Sequence, residues 1–287
     1  MRLTSRERAI LLAPLAVLLG GWLVGPALFG LGATFTDYSP FTTTVGWVGF
    51  ANFASVLRDP QFAEAARNVA EFVLLAVPLE LIAGGAIALL LRRPLQGRTA
   101  WRLVLLLPWL VSPIATGVMW HFLFGSANGI VDFVLGWLGR PAPTSPIGDP
   151  NTALLTMVAI EVWRVAPFVA FVLVPALAAI PAERWEEARL AGASLWQQVW
   201  TVALPGVRGV ALTMTMLLTG LALGTFDTTL ILTGGGPGTA TLTPALYSYG
   251  AAFGTNEWPV GSAAAWLIAA AVLAIAMVYM RLSADST

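Results

Sequence analysis

The chain has 287 residues, of which 57% are hydrophobic and 10% are charged, and its formal net charge is zero. A soluble domain carries about 25% charged residues, so this composition and a mean hydropathy of +0.79 exclude a soluble globular protein and indicate an integral membrane protein. The chain has no cysteine, one histidine (His121) and only arginine among its 15 basic residues, which excludes thiolate metal centres, a zinc-protease motif and a lysine-dependent phosphate loop.

Six apolar stretches, taken in chain order, reach the roughly 20 residues that a membrane-spanning helix needs. The first stretch carries no charge and is too long and too lightly bounded for a cleaved signal peptide. The sequence therefore predicts an all-α membrane protein with six transmembrane helices. Residues 1–71 are predicted to form the N-terminal span and first outer loop, and residues 72–281 a core of five spans. The six stretches are Ala9–Phe35, Phe72–Leu91, Leu103–Phe124, Thr152–Ile180, Gly209–Thr233 and Gly261–Met280.

The arginines are distributed unevenly between the segments that join these spans. With the N-terminus inside, three arginines, Arg58, Arg67 and Arg140, lie in outer segments and eleven lie in cytoplasmic ones. Cytoplasmic loops of membrane proteins carry the excess of positive charge, so both termini are predicted to be cytoplasmic. The eleven are Arg2, Arg6, Arg8, Arg92, Arg93, Arg98, Arg102, Arg184, Arg189, Arg208 and Arg281.

Two of the predicted outer loops have a recognisable pattern. Phe50–Asn68 is amphipathic and contains Pro60, which is predicted to break it. In the loop that begins with a run of glycines at Gly234, Pro244 is predicted to start a short helix.

The segment 181–205, between the fourth and fifth spans, is unusually polar for this chain. Glutamates lie near its start, where acidic side chains complement a helix N-terminus, and Gly192 is a natural helix terminator. Ser194 then starts a second helix with Gln197 in the position of a capping box, and Pro205 is predicted to end it. The pattern predicts a helix, a glycine bend and a second helix against the cytoplasmic face. On periodicity alone, an interfacial helix that only holds the loop against lipid is an equal alternative.

The spacing within this segment resembles the EAA motif of permease subunits of bacterial ABC importers, which reads approximately E-A-A-x-x-D-G-A, a variable stretch and I-x-L-P. Two positions depart from it, because Glu187 stands where the family usually has alanine and Ala191 where it usually has aspartate. The resemblance implies a cytoplasmic coupling helix that docks in a cleft of an ATPase subunit. The residues assigned to coupling are Glu186, Glu187, Ala188, Gly192, Leu204 and Pro205.

Two further stretches, FDTTLILTGGGPGTAT and FANFASVLRDPQFAEAARNVAEF, resemble the maltose/glycerophosphate-type carbohydrate permeases, and Thr233–Pro237 favours the maltose-F-like member of the permease pair. The resemblance implies a type I ABC importer permease fold in the bacterial plasma membrane. The implied partners are a second, maltose-G-like permease subunit, two ATP-binding subunits that hold ATP and magnesium, an extracytoplasmic solute-binding protein and the lipid bilayer. No catalytic residue, cofactor, metal site or nucleic acid is expected for this chain.

Ionisable residues at membrane depth are costly and are therefore functional candidates. Glu161 and Arg164 are three residues apart on one predicted helix, and they either neutralise each other or contact the substrate, in which case Arg164 favours an anionic one. Asp227 either caps the glycine-rich turn or faces the cavity. By resemblance, the assigned substrate-pathway residues are Glu161, Arg164, Val165, Phe168, Leu218, Leu221, Ala222, Thr225 and Asp227.

Other functions remain open from the sequence. Glu80, Glu161 and Asp227 would suit a proton-coupled secondary transporter, although the two related halves typical of that class are not found in the sequence. A membrane scaffold without a transport role is the second alternative, and it gives no reason for the spacing of the polar segment. For a transporter, the substrate is left open among a disaccharide, an amino sugar, an oligosaccharide and a glycerophosphodiester.

Overall fold

The computed structural model describes residues 5–92, 98–125, 129–138 and 145–284. These residues are mostly helical, which confirms the predicted all-α class. The one extended pairing among them is an isolated antiparallel bridge between Thr36 and Trp47. The predictions for the two chain ends, and for Arg2, Arg93 and Arg140, lie outside the described residues.

The first half of the described chain contains a run of helices in which a π-helical turn, Gly20–Val24, joins the first two. These helices are α1 (Ser5–Leu19), α2 (Gly25–Ala33), α3 (Ala51–Arg58), α4 (Pro60–Arg92), α5 (Arg98–Leu110), α6 (Pro113–Phe124) and α7 (Ile130–Trp137).

The second half contains two further π-helical turns, Val199–Ala203 and Gly250–Gly254. The short helix predicted to start at Pro244 is confirmed. The helices of this half are α8 (Ala153–Ala178), α9 (Ala182–Leu190), α10 (Leu195–Gln198), α11 (Leu204–Leu223), α12 (Asp227–Leu232), α13 (Pro244–Tyr249) and α14 (Trp258–Ala284).

Five helical segments of the described chain are long and apolar enough to cross a membrane on their own. Helices α5 and α6 meet the same criteria only together, and their axes are bent by 92° at the break between them. The predicted number of six spans is reached when this bent pair counts as one. The five continuous segments are Leu11–Ala33, Pro60–Arg92, Ala153–Ala178, Leu195–Leu223 and Trp258–Arg281.

The predicted third span, Leu103–Phe124, is wrong as a single helix. Helix α5 ends at Leu110 and α6 begins at Pro113. Ser112 between them has an extended backbone (φ −61°, ψ 151°), because a residue that precedes proline is disfavoured in the helical region. Its hydroxyl accepts a hydrogen bond from the Ala115 backbone N–H at 3.2 Å and so caps the new helix,. Hydropathy does not detect this break, because both flanks are equally apolar.

One other predicted span has wrong boundaries, and another is part of a longer helix. The fifth, predicted as Gly209–Thr233, begins earlier and ends at the residue before Gly224, which caps α11 and separates it from the short α12. The second predicted span, Phe72–Leu91, lies within a longer helix that begins at Pro60. Proline suits the first turn of a helix, where its missing N–H has no partner to lose. Pro60 therefore starts a long helix and does not simply break Phe50–Asn68.

The described residues divide by packing into two compact units, and the first comprises the chain up to Ala63 together with Tyr247–Ala269. In this unit the Tyr247 hydroxyl donates a hydrogen bond to the Asp59 carboxylate at 2.6 Å. Burial, reinforced by that carboxylate, raises the pKa of the Tyr247 phenol,. The sequence-based division at residue 71 stays a prediction. The buried core of the unit consists of Val56, Phe62, Ala263 and Ala264.

The second unit comprises the rest of the chain and contains the larger core. Helix α8 lies at its centre. Both α5 and α11 pack against it, and half of the residues in its most apolar stretch are buried. A helix that is apolar all round requires such burial or a lipid environment. The largest fully buried apolar side chains of this core are Phe72, Met157, Ile160, Val169 and Leu232.

Gly84 allows α4 and α8 to approach closely. A Cβ atom at this position would lie 2.5 Å from the Val169 Cβ and 2.8 Å from the Ala166 carbonyl oxygen. At the neighbouring Gly85, the nearest atom would be 4.0 Å away, on Leu173. Small residues at helix interfaces are the usual basis of close packing in membranes.

Gly84→Ala is therefore expected to separate α4 from α8 and to destabilise the protein by about 1–3 kcal/mol, the typical cost of overpacking. Gly85→Ala is the matched control and should leave stability unchanged or slightly higher, because alanine is the better helix former. The measurement is the midpoint of heat-induced loss of the monodisperse peak in fluorescence-detected size-exclusion chromatography. Equal midpoints for the two variants would contradict the close approach.

Candidate functional site

Helix α9 opens the polar segment with one buried anchor and an exposed acidic face. Pro181 is its N-cap residue and Glu183 lies in its first turn, where a carboxylate complements the helix dipole. Trp185 is the anchor, with 3% of its surface exposed. Glu186 and Glu187 follow it on the exposed surface. The helix is thus fixed to the core through one indole while its carboxylates stay accessible.

Gly192 forms the predicted bend. Its φ is +76°, a conformation that glycine adopts without steric cost. The Ala193 N–H donates to the Ala188 carbonyl and the Gly192 N–H to the Arg189 carbonyl, both at 2.9 Å. This pair of bonds is a Schellman motif, which satisfies the free carbonyls at the end of α9. The prediction of a helix ended by a glycine bend is confirmed.

Ser194 restarts the helix through the predicted capping box. The Ser194 backbone N–H donates to the Gln197 side-chain oxygen at 2.7 Å, and the Gln197 backbone N–H donates to the Ser194 hydroxyl at 3.3 Å. The buried Gln198 amide donates to the Ala193 carbonyl at 2.9 Å, which ties the new helix back to the bend. The two short helices are therefore held by hydrogen bonds on both sides of Gly192, and they form a defined helix–bend–helix loop, residues 181–205.

The prediction that Pro205 ends the second helix is wrong. Helix α10 continues through the π-helical turn Val199–Ala203 directly into α11, in which Pro205 occupies the first turn. The wider turn accommodates a residue that lacks an N–H and whose ring would clash with a regular helical turn. The second helix of the polar loop and the span beyond it consequently form one continuous helical rod from Leu195 to Leu223.

The rod begins with an exposed apolar face beside the acidic face of α9. The indoles of Trp196 and Trp200 meet edge to face, with ring centroids 5.7 Å apart. At least two fifths of the surface of each residue on this face is exposed to solvent. Its members are Leu195, Trp196, Trp200 and Leu204, and Leu190 at the end of α9 is exposed as well. Val202 and Ala203 lie on the opposite, buried side.

Helix α8 holds the second candidate site, a pair of opposite charges in the middle of a span. The Arg164 guanidinium donates to both oxygens of Glu161, through Nη2 at 2.5 Å and Nε at 3.1 Å. The two side chains are only 13% and 15% exposed. Glu80 on α4 is 2% exposed and lies close enough to interact electrostatically with both. The sequence suggested the Glu161–Arg164 pair, but it did not show that Glu80 joins it.

Aromatic rings extend this charged cluster. The Trp109 and Phe168 rings stack with centroids 4.3 Å apart and planes 11° apart. The Arg164 guanidinium lies 5.4 Å from the centroid of the Trp109 ring, within the range of a cation–π interaction. Trp109 was not among the predicted pathway residues. Its only sequence signal is a tryptophan inside an apolar span, which by itself is ambiguous.

The other predicted pathway residues are dispersed between core and surface. Leu221 is 53% exposed, while Thr225 is half-buried and its carbonyl accepts a hydrogen bond from the Thr243 hydroxyl at 3.0 Å. Asp227 is exposed in the first turn of α12. Three further predicted residues are buried among the packed helices, namely Val165, Leu218 and Ala222. Within the described residues, no group of three or more histidine, cysteine, aspartate or glutamate side chains could hold a metal ion.

The glycine-rich loop is held by the start of α4. The Asn68 amide donates to the carbonyls of Thr239 and Leu242, at 2.7 and 3.1 Å. The Thr239 hydroxyl donates to the Glu64 carboxylate at 2.6 Å. Gly234, at the start of the loop, has a φ of +63°. Side chains of one helix thus fix the conformation of a loop more than 170 residues away in sequence.

Comparison with solved structures defines the class of this fold. The chain superposes on a bacterial alginate ABC transporter, solved in complex with an alginate pentasaccharide-bound periplasmic protein, with a TM-score of 0.80, 20% identity and coverage of 96% of this chain and 92% of that one. The fold is therefore that of an ABC transporter membrane subunit. Residues 81–284 match the family of binding-protein-dependent transport system inner membrane components, and the chain belongs to that family.

Curated relatives extend over nearly the whole chain. The trehalose/maltose transport system permease protein MalF of Thermococcus litoralis is 32% identical over 86% of this chain and 81% of its own length. The sulfoquinovosyl glycerol transport system permease protein SmoG of Agrobacterium fabrum is 30% identical over 95% and 89%. The diacetylchitobiose uptake system permease protein DasB of Streptomyces coelicolor is 31% identical over 82% and 73%.

Proposed function

We propose that the chain is the maltose-F-like permease subunit of an ATP-driven importer that moves a sugar or sugar-like solute into the cytoplasm. The relatives named for trehalose/maltose, sulfoquinovosyl glycerol and diacetylchitobiose support a sugar substrate. The proposed partners are a maltose-G-like permease subunit, two subunits that bind ATP and magnesium, and an extracytoplasmic solute-binding protein. ATP hydrolysis is assigned to those subunits and not to this chain.

The observation that carries the proposal is the continuity between the polar loop and a membrane span. The helix–bend–helix loop presents Glu186 and Glu187 beside an apolar face that contains Trp196 and Trp200. A mixed acidic and aromatic surface suits a protein partner better than bulk water. Because the rod is unbroken to Leu223, a force applied to the loop by an ATPase subunit tilts the span behind it. Orientation with both termini in the cytoplasm places the loop on the ATPase side, as the arginine distribution favours.

The substrate pathway is assigned to the inner side of α8 and the end of α11. The stacked Trp109 and Phe168 rings offer an aromatic face, and Thr225 offers a hydroxyl, which together suit a polyol. Arg164 is already neutralised by Glu161. We therefore favour an uncharged or amino sugar over an anionic one, contrary to what Arg164 suggests in the sequence.

Reconstitution tests this function directly. The solute-binding protein encoded beside the permease genes is first screened calorimetrically against maltose, trehalose and diacetylchitobiose. Proteoliposomes that contain this chain, its companion permease and the ATP-binding subunits are then expected to accumulate the bound sugar only with the binding protein and ATP present. Uptake that persists without ATP but follows an imposed proton gradient would replace this proposal with a secondary transporter.

A further inference from the structure

A cavity of about 510 Å³ lies between the end of α4 and the helix–bend–helix loop. Its volume falls within the range of small-ligand pockets. Its lining combines two arginines with apolar side chains and includes no carboxylate. The lining residues are Ala86, Leu89, Leu90, Arg92, Trp185, Arg189, Leu195, Gln198 and Val199.

The two arginines of this cavity have no anionic partner in the part of the chain that the structure describes. The Arg92 guanidinium lies 3.5 Å above the Trp185 ring, and Arg189 is close enough to repel it electrostatically. Two like charges held against a low-dielectric wall favour the binding of a negative ligand between them.

Trp185 forms part of the cavity wall and positions one of the two charges. The Arg92 guanidinium lies over its ring, so a cation–π contact holds this cation at the cavity. An anionic ligand in the cavity would compensate this guanidinium group and that of Arg189.

The apolar part of the lining identifies the kind of anion. Leu89 and Leu90 lie in the last turn of a membrane-spanning segment that ends at Arg92, and 60% of the Leu90 surface is exposed. Leu195, at the other side of the cavity, is 67% exposed. Charged donors at the end of a span, next to exposed leucines, match the phosphate and the first acyl carbons of a lipid.

We propose that this cavity binds the phosphate headgroup of an anionic phospholipid, with Arg92 and Arg189 as its donors. The acyl chains lie along Leu89 and Leu90. This site is separate from the transport pathway, and it does not depend on the identity of the transported solute. A lipid bound here would stabilise the packing of the end of α4 against the helix–bend–helix loop.

The test is native mass spectrometry of the full-length chain, purified in detergent with the subunits that accompany it and titrated with dioleoylphosphatidylglycerol. Arg189→Gln and Arg92→Gln should each weaken binding of the first lipid about fivefold, the contribution expected of one arginine toward an anionic lipid. Arg184→Gln, on the same helix but outside the cavity, is the matched control and should bind as the unmodified protein does.

Two competition arms separate the possible sources of the phosphate. Dioleoylphosphatidylcholine, which has a phosphate but no net charge, should not displace phosphatidylglycerol at equal concentration, and neither should millimolar inorganic phosphate. Displacement by inorganic phosphate, or equal binding by Arg189→Gln and Arg184→Gln, would overturn the lipid assignment. Because Arg189 is exposed, its variant is expected to fold, and a monodisperse size-exclusion profile verifies this before titration.

Discussion

Replacing Arg164 with alanine is expected to reduce the recovery of folded protein far more than replacing Glu161. Arg164 is the cation of a buried cluster that also contains Glu80, so its loss leaves the Glu161 carboxylate without a counter-ion in a low-dielectric environment, next to the Glu80 carboxyl group. Breaking a buried ion pair typically costs about 3–5 kcal/mol. Loss of Glu161 should cost less, because Glu80 still interacts with Arg164. The measurement is the yield of monodisperse protein after purification, with thermal midpoints for those variants that survive.

The exposed pair Arg67–Glu71 provides a matched control for this asymmetry. These side chains are 68% and 50% exposed and 3.5 Å apart, so Arg67→Ala should change stability by no more than about 1 kcal/mol. The double variant Glu161→Ala with Arg164→Ala should recover part of the yield lost in Arg164→Ala, because only Glu80 then remains. Normal yields for both single variants, with uptake lost in each, would instead identify the pair as a substrate contact.

Gly192→Val is expected to abolish most of the stimulation of ATPase activity by the loaded binding protein. A Cβ at this position would meet no atom within 4 Å, so the effect must come from the backbone. A β-branched residue is strained at a φ of +76° by about 1–3 kcal/mol, and relief of that strain reorients α9 relative to α10. The sugar affinity of the isolated binding protein should not change.

Gly192→Asn distinguishes conformation from bulk. Asparagine also adds a side chain, but it tolerates positive φ better than other residues, so this variant should retain most of the stimulation. The assay is ATP hydrolysis in proteoliposomes, measured with and without the loaded binding protein. If Gly192→Val and Gly192→Asn are equally active, the bend has no part in coupling.

Local rules predicted the helix–bend–helix loop well because its key conformations are encoded by single residues. Gly192 is the residue type that a positive φ requires, and Ser194 with Gln197 forms a self-contained cap. The break at Ser112 was equally local, since a serine before a proline is a strong signal for a helix start. It was missed because a hydropathy window averages over it.

The remaining errors concern features that depend on tertiary structure. The proximity of Glu80 to the Glu161–Arg164 pair requires α4 to pack against α8, which the closely fitting Gly84 permits but does not specify. The contact of Trp109 with Phe168 likewise requires α5 to pack against α8. The continuation of the helix through Pro205 depends on a π-helical turn, for which the sequence carries no established signal.

The length of α4 has a consequence for where its first residues lie. At 1.5 Å per residue its 33 residues extend about 50 Å, whereas the hydrocarbon layer is about 30 Å thick. Even at a tilt of about 40°, the upper end of the range for spanning helices, the helix projects beyond this layer. Three of its five charged residues, Glu64, Arg67 and Glu71, fall within its first twelve positions, a stretch of about 18 Å. The first turns of α4 thereby hold the glycine-rich loop, which is bound to Glu64 and Asn68, above the lipid and within reach of a water-soluble protein.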